Sequence, residues 1–341
     1  MADIRLGSTG IEVERQGFGA LPLQRVPMDE AVSILRQAFD GGIRFFDTAR
    51  NYSDSEEKLG QAFKGIRRQV VLASKTNAKT VEAFNKDLET TLRNLRTDFL
   101  DLYQFHNPPF CPMPGDGSGL WEAMEDARRA GKVLHVGISN HRLKVARQSI
   151  ACGLYETLQF PFSYLSSSVD LDLARECAQA GMGFIAMKAL AGGLVSNARA
   201  ACAWISAFPG VLPIWGVQRM GELEEFLAFI KDPPTLTAEL EAEIEKDRAD
   251  LAGDFCRGCG YCMPCPQGIE INICARMSLL WRRAPPERFF TPESQLKMRR
   301  IESCTCCGAC VAKCPYGLDT PALLQRNLED YNAELARRTG A

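Results

Sequence analysis

Residues 17–47 read GFGALPLQRVPMDEAVSILRQAFDGGIRFFD, with a strand-like apolar run at each end. The two runs, GFGAL and IRFFD, have the length and composition of buried strands. Between them, MDEAVSILRQAFD carries apolar residues three and four positions apart, which is the spacing of one buried helical face. Gly41 and Gly42 stand where the end of this helix is expected. The stretch therefore predicts a strand, a helix and a second strand in succession.

The same alternation continues to residue 216. Eight strand-like runs occur between segments of helical period: GFGAL, IRFFD, VVLAS, FLDLYQF, VLHVGIS, TLQF, GFIAM and VLPIWG. Strict alternation implies parallel strands joined by right-handed crossovers, and eight such units favour a closed barrel. An open doubly wound sheet would normally show G-x-G-x-x-G after a strand, and the sequence has no such motif there. We therefore predict an α/β fold, a (β/α)8 TIM barrel.

Size and charge limit the class of protein. The 341 residues leave room for one barrel of about 250 residues and a smaller domain. Forty Lys and Arg residues against 42 Asp and Glu residues give a net charge of −2, which provides no broad positive field for nucleic acid. No signal peptide and no apolar run of about 18 residues is found, so we predict a cytoplasmic protein with no membrane partner.

The cysteines are concentrated near the C-terminus. Of 14 cysteines, ten lie between Cys256 and Cys314, and the other four are scattered singly before residue 253. A long chain without a secretion signal is not a disulfide scaffold, so this composition shift indicates a separate domain. We place the boundary near Gly253, which gives a barrel over residues 1–252 and a mostly helical, cysteine-rich domain with a C-terminal helix over residues 253–341.

Polar residues directly follow several of the strand-like runs. Because all strands of a parallel barrel end at one mouth, these residues should converge in space. Alone, each would be an ordinary packing or surface residue, but their joint occurrence predicts a site at the mouth. In chain order they include Asp47, Arg50, Tyr52, Ser74, Lys75, His106, Ser139, Asn140, Gln159 and Lys188.

Hydride reduction of a carbonyl explains why these residue types belong together. The reaction leaves an alkoxide that must be protonated, and the hydroxyl of Tyr52 could supply the proton. A neighbouring ammonium, such as that of Lys75, favours the phenolate that remains. Asp47 is the natural counter-ion of a buried lysine, and His106 could orient the substrate oxygen or relay the proton.

At these residues the sequence resembles the aldo-keto reductases over most of residues 4–230. The resemblance rests on LGSTGIEV, GFGALP, FFDTARNYSDSEEKLG, LASKT, LDLYQFHNP, HVGISN and GFIAMKALAGG. It implies a catalytic tetrad of Asp47, Tyr52, Lys75 and His106, in which Tyr52 is the general acid. It also implies that Ser139, Asn140 and Gln159 hold the nicotinamide carboxamide of NAD(P)H, which such enzymes bind without a glycine fingerprint.

The eighth run departs from the family pattern. Where many members have a Lys-Ser pair and a nearby Arg, residues 216–222 read GVQRMGE. Arg219 is a candidate partner for the 2′-phosphate of NADP, whereas Glu222 would repel it. Lys188, Gly216 and Arg219 complete the expected cofactor-binding set, and the family favours NADP over NAD. Phe162 or Tyr164 is expected to stack on the nicotinamide, unless both belong to the core.

Two cysteine motifs occupy the C-terminal region. Residues 256–266 read CRGCGYCMPCP, and residues 304–315 read CTCCGACVAKCP with the spacing of the bacterial ferredoxin motif. In that motif the Cys before Pro ligates the other cluster, which predicts two [4Fe–4S] clusters. One would use Cys256, Cys259, Cys262 and Cys314, and the other Cys265, Cys304, Cys307 and Cys310.

Some alternatives remain open for these motifs. The first is one residue short before its Cys-Pro, so Cys274 or Cys306 could replace Cys265. Paired C-x2-C motifs also form structural zinc sites. The whole arrangement nevertheless resembles the iron–sulfur-containing branch of the aldo-keto reductases, in which a ferredoxin-like region follows the barrel.

The sequence therefore predicts an NAD(P)H-dependent oxidoreductase. It would interconvert a small-molecule carbonyl compound, either an aldehyde or a ketone, with the corresponding alcohol. Its clusters would have a structural or redox role. One alternative is an electron-transfer oxidoreductase that couples the clusters to the barrel site and uses a redox partner protein. This alternative needs an intermediate carrier, because hydride carries two electrons and a cluster takes one. Another alternative is a non-catalytic, redox-sensing nucleotide-binding protein.

Overall fold

The computed structural model describes residues 4–251, 255–283 and 286–339. The chain folds into two compact units. The barrel unit is Met1–Ala189 with Ala198–Glu241, and the cysteine unit is Leu190–Asn197 with Ala242–Ala341. The boundary predicted near Gly253 lies outside the described residues, and the barrel unit ends at Glu241 instead. Within the described ranges, no helix is long and apolar enough to cross a membrane.

The barrel unit begins with a short antiparallel hairpin of β1 (Ile4–Arg5) and β2 (Glu12–Val13). Eight parallel strands follow, each at one of the predicted runs. They are β3 (Gly17–Gly19), β4 (Phe45–Asp47), β5 (Val71–Thr76), β6 (Leu100–His106), β7 (Val133–Ser139), β8 (Thr157–Pro161), β9 (Gly183–Met187) and β10 (Val211–Gly216). They pair in chain order, and β10 pairs with β3, which confirms the predicted closed barrel.

Helices follow or connect the barrel strands. They are α1 (Met28–Asp40), α2 (Ser55–Ala62), α3 (Val81–Leu95), α4 (Leu120–Arg129), α5 (Leu143–Ala151), α6 (Ser168–Gln179), α7 (Ala198–Ile205) and α8 (Met220–Lys231). The first of them, α1, buries Ala31, Ile34, Leu35 and Ala38, which is the predicted apolar face. Gly42 then adopts a φ of 108°, a left-handed conformation that glycine reaches without steric cost.

The hairpin closes the amino-terminal end of the barrel. Ile4, Leu6 and Val13 are buried in one cluster with Phe45 of β4 and Leu212 of β10. The fit is close, since a Cβ at Gly7 would lie 2.2 Å from the backbone nitrogen of Gly183. No periodic pattern in residues 4–13 predicts this hairpin. Because it fills the opposite end of the barrel, the polar residues at the carboxyl ends of the strands are left to form the mouth.

The cysteine unit is mostly helical, as predicted. After α9 (Ala238–Asp250) come α10 (Ile271–Cys274), α11 (Met277–Arg283), α12 (Pro292–Arg299), α13 (Ala309–Lys313) and the C-terminal α14 (Thr320–Thr339). Its apolar core is small and includes cysteine side chains among its members. Tyr331 of α14 donates a 2.8 Å hydrogen bond to the carbonyl of Phe289, and its ring stacks on Phe290.

Candidate active site and cysteine cavities

A buried ion pair lies at the mouth of the barrel. Asp47 ends β4, Lys75 lies near the end of β5, and the Lys75 Nζ is 2.7 Å from the Asp47 Oδ2. The ammonium also donates a 2.7 Å hydrogen bond to the carbonyl of Thr48. Both side chains are almost completely buried, with exposed fractions of 1% and 3%. An unpaired charge at this depth would be costly, so each ion keeps the other charged.

Burial and pairing act in opposite directions on this pair. Burial raises the pKa of Asp47 and lowers that of Lys75, because both charges have lost their hydration. The charge of each partner opposes the shift of the other. Removal of either side chain would leave the full cost of burial on the one that remains.

Two interior amides surround the carboxylate. The Gln104 Nε2 donates a 2.9 Å hydrogen bond to the Gln159 Oε1 and lies 3.5 Å from the Asp47 Oδ1. The Gln159 Nε2 lies 3.5 Å from the Asp47 Oδ2. Gln104 is not among the residues predicted at the mouth from the sequence. A polar residue within an apolar run, two positions before His106 and therefore on the same face of the strand, was the available signal.

The rings of Tyr52 and His106 complete the arrangement. They meet edge to face, with centroids 5.7 Å apart and an interplanar angle of 81°. The Lys75 Nζ lies 5.3 Å from the centroid of the Tyr52 ring. The structure thus brings together all four residues of the predicted tetrad.

His106 is held in its neutral form. Burial and the nearby charge of Lys75 lower the pKa of His106 from 6.5 to about 3. Its Nδ1 is buried, and no side chain or backbone group in the described part of the chain hydrogen-bonds to it. At physiological pH the imidazole can therefore orient a substrate oxygen as a neutral group.

A second ion pair anchors the turn that carries Tyr52. Arg50 pairs with the buried carboxylate of Glu56 at the start of α2. The Glu56 Oε1 also accepts 2.8 Å hydrogen bonds from the hydroxyls of Ser74 and Thr91. The sequence placed Arg50 among the polar residues after a strand but did not indicate Glu56, because the groups that bind its carboxylate come from separate elements. The turn is consequently fixed to β5 and α3 on both sides of Tyr52.

Two of the predicted carboxamide-binding residues, Ser139 and Asn140, differ in the hydrogen bonds that they make within the protein. Ser139 ends β7, and its hydroxyl makes a long, 3.4 Å hydrogen bond to the carbonyl of Phe105. The Asn140 Nδ2 donates to the carbonyl of Pro108 at 2.9 Å, and its Oδ1 accepts from the backbone of the next two residues. The amide of Asn140 therefore stabilises the loops at the mouth. The hydroxyl of Ser139 makes only a weak hydrogen bond within the protein.

The remaining predicted cofactor residues follow β9 and β10. Lys188 directly follows β9 with a left-handed φ of 58°, and Gly216 ends β10. Arg219 precedes α8, and its side chain is 62% exposed. The Glu222 Oε2 accepts hydrogen bonds from the backbone of Gln218 at 2.9 Å and of Arg219 at 3.2 Å. A carboxylate of the protein therefore already caps this helix.

The aromatic residues considered for stacking on the nicotinamide are both buried. Phe162 packs against Phe184, Trp204 and Phe208, with centroids 5.1–5.3 Å apart. Phe162 is thus a core residue, which is the alternative that the sequence left open for it. Tyr164 is completely buried as well.

One cavity of the cysteine unit is lined by Cys256, Cys259, Cys262 and Cys314, and we call it the first cavity. The backbone nitrogen of Gly258 donates to the Cys256 Sγ at 3.4 Å. The guanidinium of Arg257 lies over the rings of Phe255 and Tyr316, 4.6 and 4.5 Å from their centroids. Arg257 thereby holds the turn of the first motif against the end of the second.

The second cavity is lined by Cys265, Cys304, Cys307 and Cys310, and also by Cys262 and Cys306. Cys306 and Cys307 are exposed, whereas Cys310 is buried. Cys274 lines neither cavity, and its thiol donates to the carbonyl of Lys297 at 3.6 Å. Each cavity therefore collects cysteines from both sequence motifs, in the crossed pattern of a ferredoxin.

Comparison with known proteins places the barrel in a family. Residues 15–201, more than half of the chain, match the Aldo/keto reductase family. The chain belongs to the aldo/keto reductase family. Residues 255–319 of this aldo/keto reductase match a 4Fe-4S dicluster domain, which confirms that an iron–sulfur domain follows the barrel.

Individual relatives agree with this assignment. The chain is 33% identical to YrpG, an uncharacterized oxidoreductase of Bacillus subtilis, over 56% of its own length and 67% of the relative. It is 30% identical to L-galactose dehydrogenase of Arabidopsis thaliana, over 56% of its own length and 66% of that protein. It thus spans about two thirds of the length of these curated relatives.

A solved structure supports the fold. An aldo-keto reductase from Klebsiella pneumoniae in complex with NADPH is 25% identical, with a TM-score of 0.63. The match covers 72% of this aldo/keto reductase and 95% of the Klebsiella chain.

The match to a 4Fe-4S dicluster domain favours iron–sulfur clusters over the zinc alternative. Thiols spread around a cavity suit the separate irons of a cluster, whereas a zinc site brings its sulfurs within about 2.3 Å of a single ion.

Proposed function

We propose that this aldo/keto reductase interconverts an aldehyde or ketone and the corresponding alcohol by hydride transfer, with NADP(H) as the preferred cofactor over NAD(H). The observation that carries the proposal is the buried pair of Lys75 and Asp47 in contact distance of Tyr52 and beside His106. A fixed ammonium beside a phenol is what proton donation to a carbonyl oxygen requires. The bound NADPH in the Klebsiella pneumoniae relative supports the choice of cofactor.

The donor set at the mouth fits a nicotinamide nucleotide. Ser139 and Gln159 present a hydroxyl and an amide at neighbouring strands, which suits the carboxamide. Asn140 would contribute indirectly, because its amide holds the loop that contains Pro108. Lys188, Gly216 and Arg219 would line the remainder of the cofactor. When bound, the nicotinamide supplies or accepts the hydride at the carbonyl carbon.

The chain's own residues manage the proton. As the carbonyl carbon gains hydride, the electron pair of the C–O double bond moves to oxygen, and Tyr52 transfers its hydroxyl proton to that oxygen. The phenolate that remains is stabilised by the ammonium of Lys75, which Asp47 and the carbonyl of Thr48 hold in position. Neutral His106 donates a hydrogen bond to the same oxygen. Alcohol oxidation reverses each step.

For the cysteine unit we propose two [4Fe–4S] clusters. The first would bind Cys256, Cys259, Cys262 and Cys314, and the second Cys265, Cys304, Cys307 and Cys310. The crossed lining of the two cavities supports these ligand sets. The lining also favours Cys265 over Cys274, whose thiol faces the carbonyl of Lys297.

The test is turnover by anaerobically purified protein over a broad panel of aldehydes, ketones and alcohols with both nucleotides. We expect NADPH oxidation that depends on the carbonyl, and a brown protein with iron and sulfide for two cubanes. Tight nucleotide binding without turnover of any compound would reject the reductase and favour a redox sensor.

A second candidate function is electron transfer between the clusters and the barrel site. The exposure of Cys306 and Cys307 favours it, since a redox partner protein could approach the second cavity there. Because hydride carries two electrons and a cluster takes one, an intermediate carrier such as a flavin must pass the electrons on singly. The test is anaerobic mixing of the protein with NADPH and a flavin. Bleaching of the cluster absorbance on the timescale of turnover would support this function, and an unchanged spectrum would reject it.

A further inference from the structure

One segment between two barrel elements packs as part of the cysteine unit. Residues 190–197 lie between β9 and α7, yet they form one compact unit with the chain from Ala242 onward. In the sequence they begin two positions after Lys188, one of the proposed cofactor-binding residues. Loops that follow barrel strands are the usual source of ligand-binding residues in such folds. We call residues 190–197 the β9–α7 loop.

A single arginine fastens this loop to the first cysteine motif. Arg276, between α10 and α11, donates a 2.7 Å hydrogen bond from Nη1 to the carbonyl of Gly192 and a 3.0 Å bond from Nε to the carbonyl of Asn272. Its guanidinium also packs on the turn between Cys256 and Cys259, where a Cβ at Gly258 would lie 2.6 Å from Cζ. The same guanidinium therefore touches the loop and a turn that lines the first cavity.

The glycines on both sides make this close approach possible. Gly192 and Gly258 both have left-handed φ, 67° and 62°. A Cβ at Gly192 would lie 3.1 Å from the Arg276 Nη1 and 3.3 Å from the carbonyl oxygen of Arg257. Neither glycine can carry a side chain without moving the arginine. The guanidinium therefore packs closely against the backbone of both the loop and the cysteine turn.

The backbone within and just before the loop adopts conformations that require support from neighbouring groups. Lys188 and Ala191 adopt left-handed φ angles of 58° and 48°, which non-glycine residues rarely occupy unless their surroundings enforce them. A second anchor is the 2.6 Å hydrogen bond from the Asn197 Nδ2 to the Glu243 Oε2 of α9. The two anchors hold the loop near its beginning and at its end.

We propose that Arg276 is a positioning residue that fixes the β9–α7 loop to the turn of Cys256 and Cys259, and that nucleotide binding by the barrel depends on this attachment. The inference rests on the proposed function for its link to the nucleotide. Order in the first cysteine motif is thereby transmitted along the chain to Lys188, and damage to that motif weakens nucleotide binding without any change in the tetrad.

The decisive variant is Arg276→Met in the cluster-loaded full chain, because it keeps the apolar stem and removes the donors. The matched control is Arg282→Met in the same unit, whose guanidinium pairs with Asp330. Loss of hydrogen bonds from a charged donor should raise amide hydrogen exchange in residues 190–197 about tenfold. The same loss should raise the Kd and KM for NADPH about tenfold, with kcat at saturation within about twofold.

Unchanged loop exchange in an Arg276→Met protein that keeps its iron would overturn the proposal. If this variant loses iron, Glu243→Ala decides, because it releases the other anchor away from the cysteine motifs. Faster loop exchange and weaker NADPH binding in Glu243→Ala would support the loop's role, and wild-type values would overturn it. Failure of the proposed function is distinct, because wild-type protein would then turn over no carbonyl compound, whether or not it binds nucleotide, while the exchange measurement still reports on the attachment of the β9–α7 loop.

Discussion

In the barrel unit the reactive groups stand at the ends of neighbouring strands, whereas in the cysteine unit they stand around cavities between turns and short helices. Lys75 and Asp47 are fixed by register, by a carbonyl and by two amides, all supplied by the chain. The thiols of the cysteine unit must instead lose their protons to bind iron, which couples their order to the metal. The first site is thus organised by the fold, and we expect the order of the second to depend on bound metal.

The largest effect should come from Tyr52→Phe, which removes the proposed proton donor and keeps the ring. We expect kcat/KM for carbonyl reduction to fall by about 10³-fold, within the usual contribution of general acid catalysis. Because the strands fix the site, the Kd for NADPH and the cluster absorbance should stay at wild-type values. Steady-state kinetics and fluorescence titration measure this separation, and full activity in the variant would refute the assigned role.

The cysteine unit should respond differently to a comparably small change. Cys256→Ser removes one thiol from the first cavity, and we expect the iron content to fall by about half. If metal binding contributes to folding, the unfolding midpoint of this unit should also drop by roughly 10–20 °C in calorimetry. Cys274→Ser is the matched control, because Cys274 is buried but lines neither cavity. Equal iron contents in the two variants would contradict the proposed ligand set.

The contrast between the units also explains what the sequence could reveal. The eight strands and the residues at their ends follow a regular alternation, so the barrel and the convergence of Asp47, Tyr52, Lys75 and His106 could be predicted. The hairpin of β1 and β2 could not, since strands of two residues carry no periodic signal. Motif spacing likewise predicted cysteines that share each cavity, although Cys262 and Cys306 also line the second one. The roles assigned to all of these residues stay predictions.

Partnerships across the fold were beyond the sequence. The pair of Arg50 and Glu56 is only six residues apart, but its burial depends on hydroxyls from β5 and α3. Gln104 resembles any polar residue within a strand until Gln159 is seen beside it. One hydrogen bond to the loop of residues 190–197 comes from Arg276, more than 70 residues later. Such interactions arise from tertiary packing, which local patterns do not encode.

The neutral histidine of the barrel site should make the stability of the protein depend on pH. The pKa of His106 is lowered from 6.5 to about 3, so between these pH values the unfolded chain binds a proton that the folded chain does not. Stability is therefore retained above pH 6.5 and lost as the pH falls toward 3. Between pH 7 and pH 5 the free energy of unfolding should fall by about 1–2 kcal/mol less in His106→Gln than in the wild type. Denaturant unfolding at both pH values measures this, and identical pH slopes would contradict a buried neutral imidazole.

The smallest effect concerns the nucleotide end of the barrel site, where Glu222 caps α8 and lies 3.5 Å from the Arg219 Nη1. Its carboxylate opposes any phosphate that Arg219 would bind. Glu222→Gln removes the charge and keeps an oxygen for the cap, so the preference for NADPH over NADH should rise about threefold, the scale of an exposed ion pair. Glu225→Gln, an exposed carboxylate one turn further along α8, is the control. Because exposed charges are screened, the effect should shrink at high salt, and equal Kd ratios in both variants at low salt would show that the 2′-phosphate binds elsewhere.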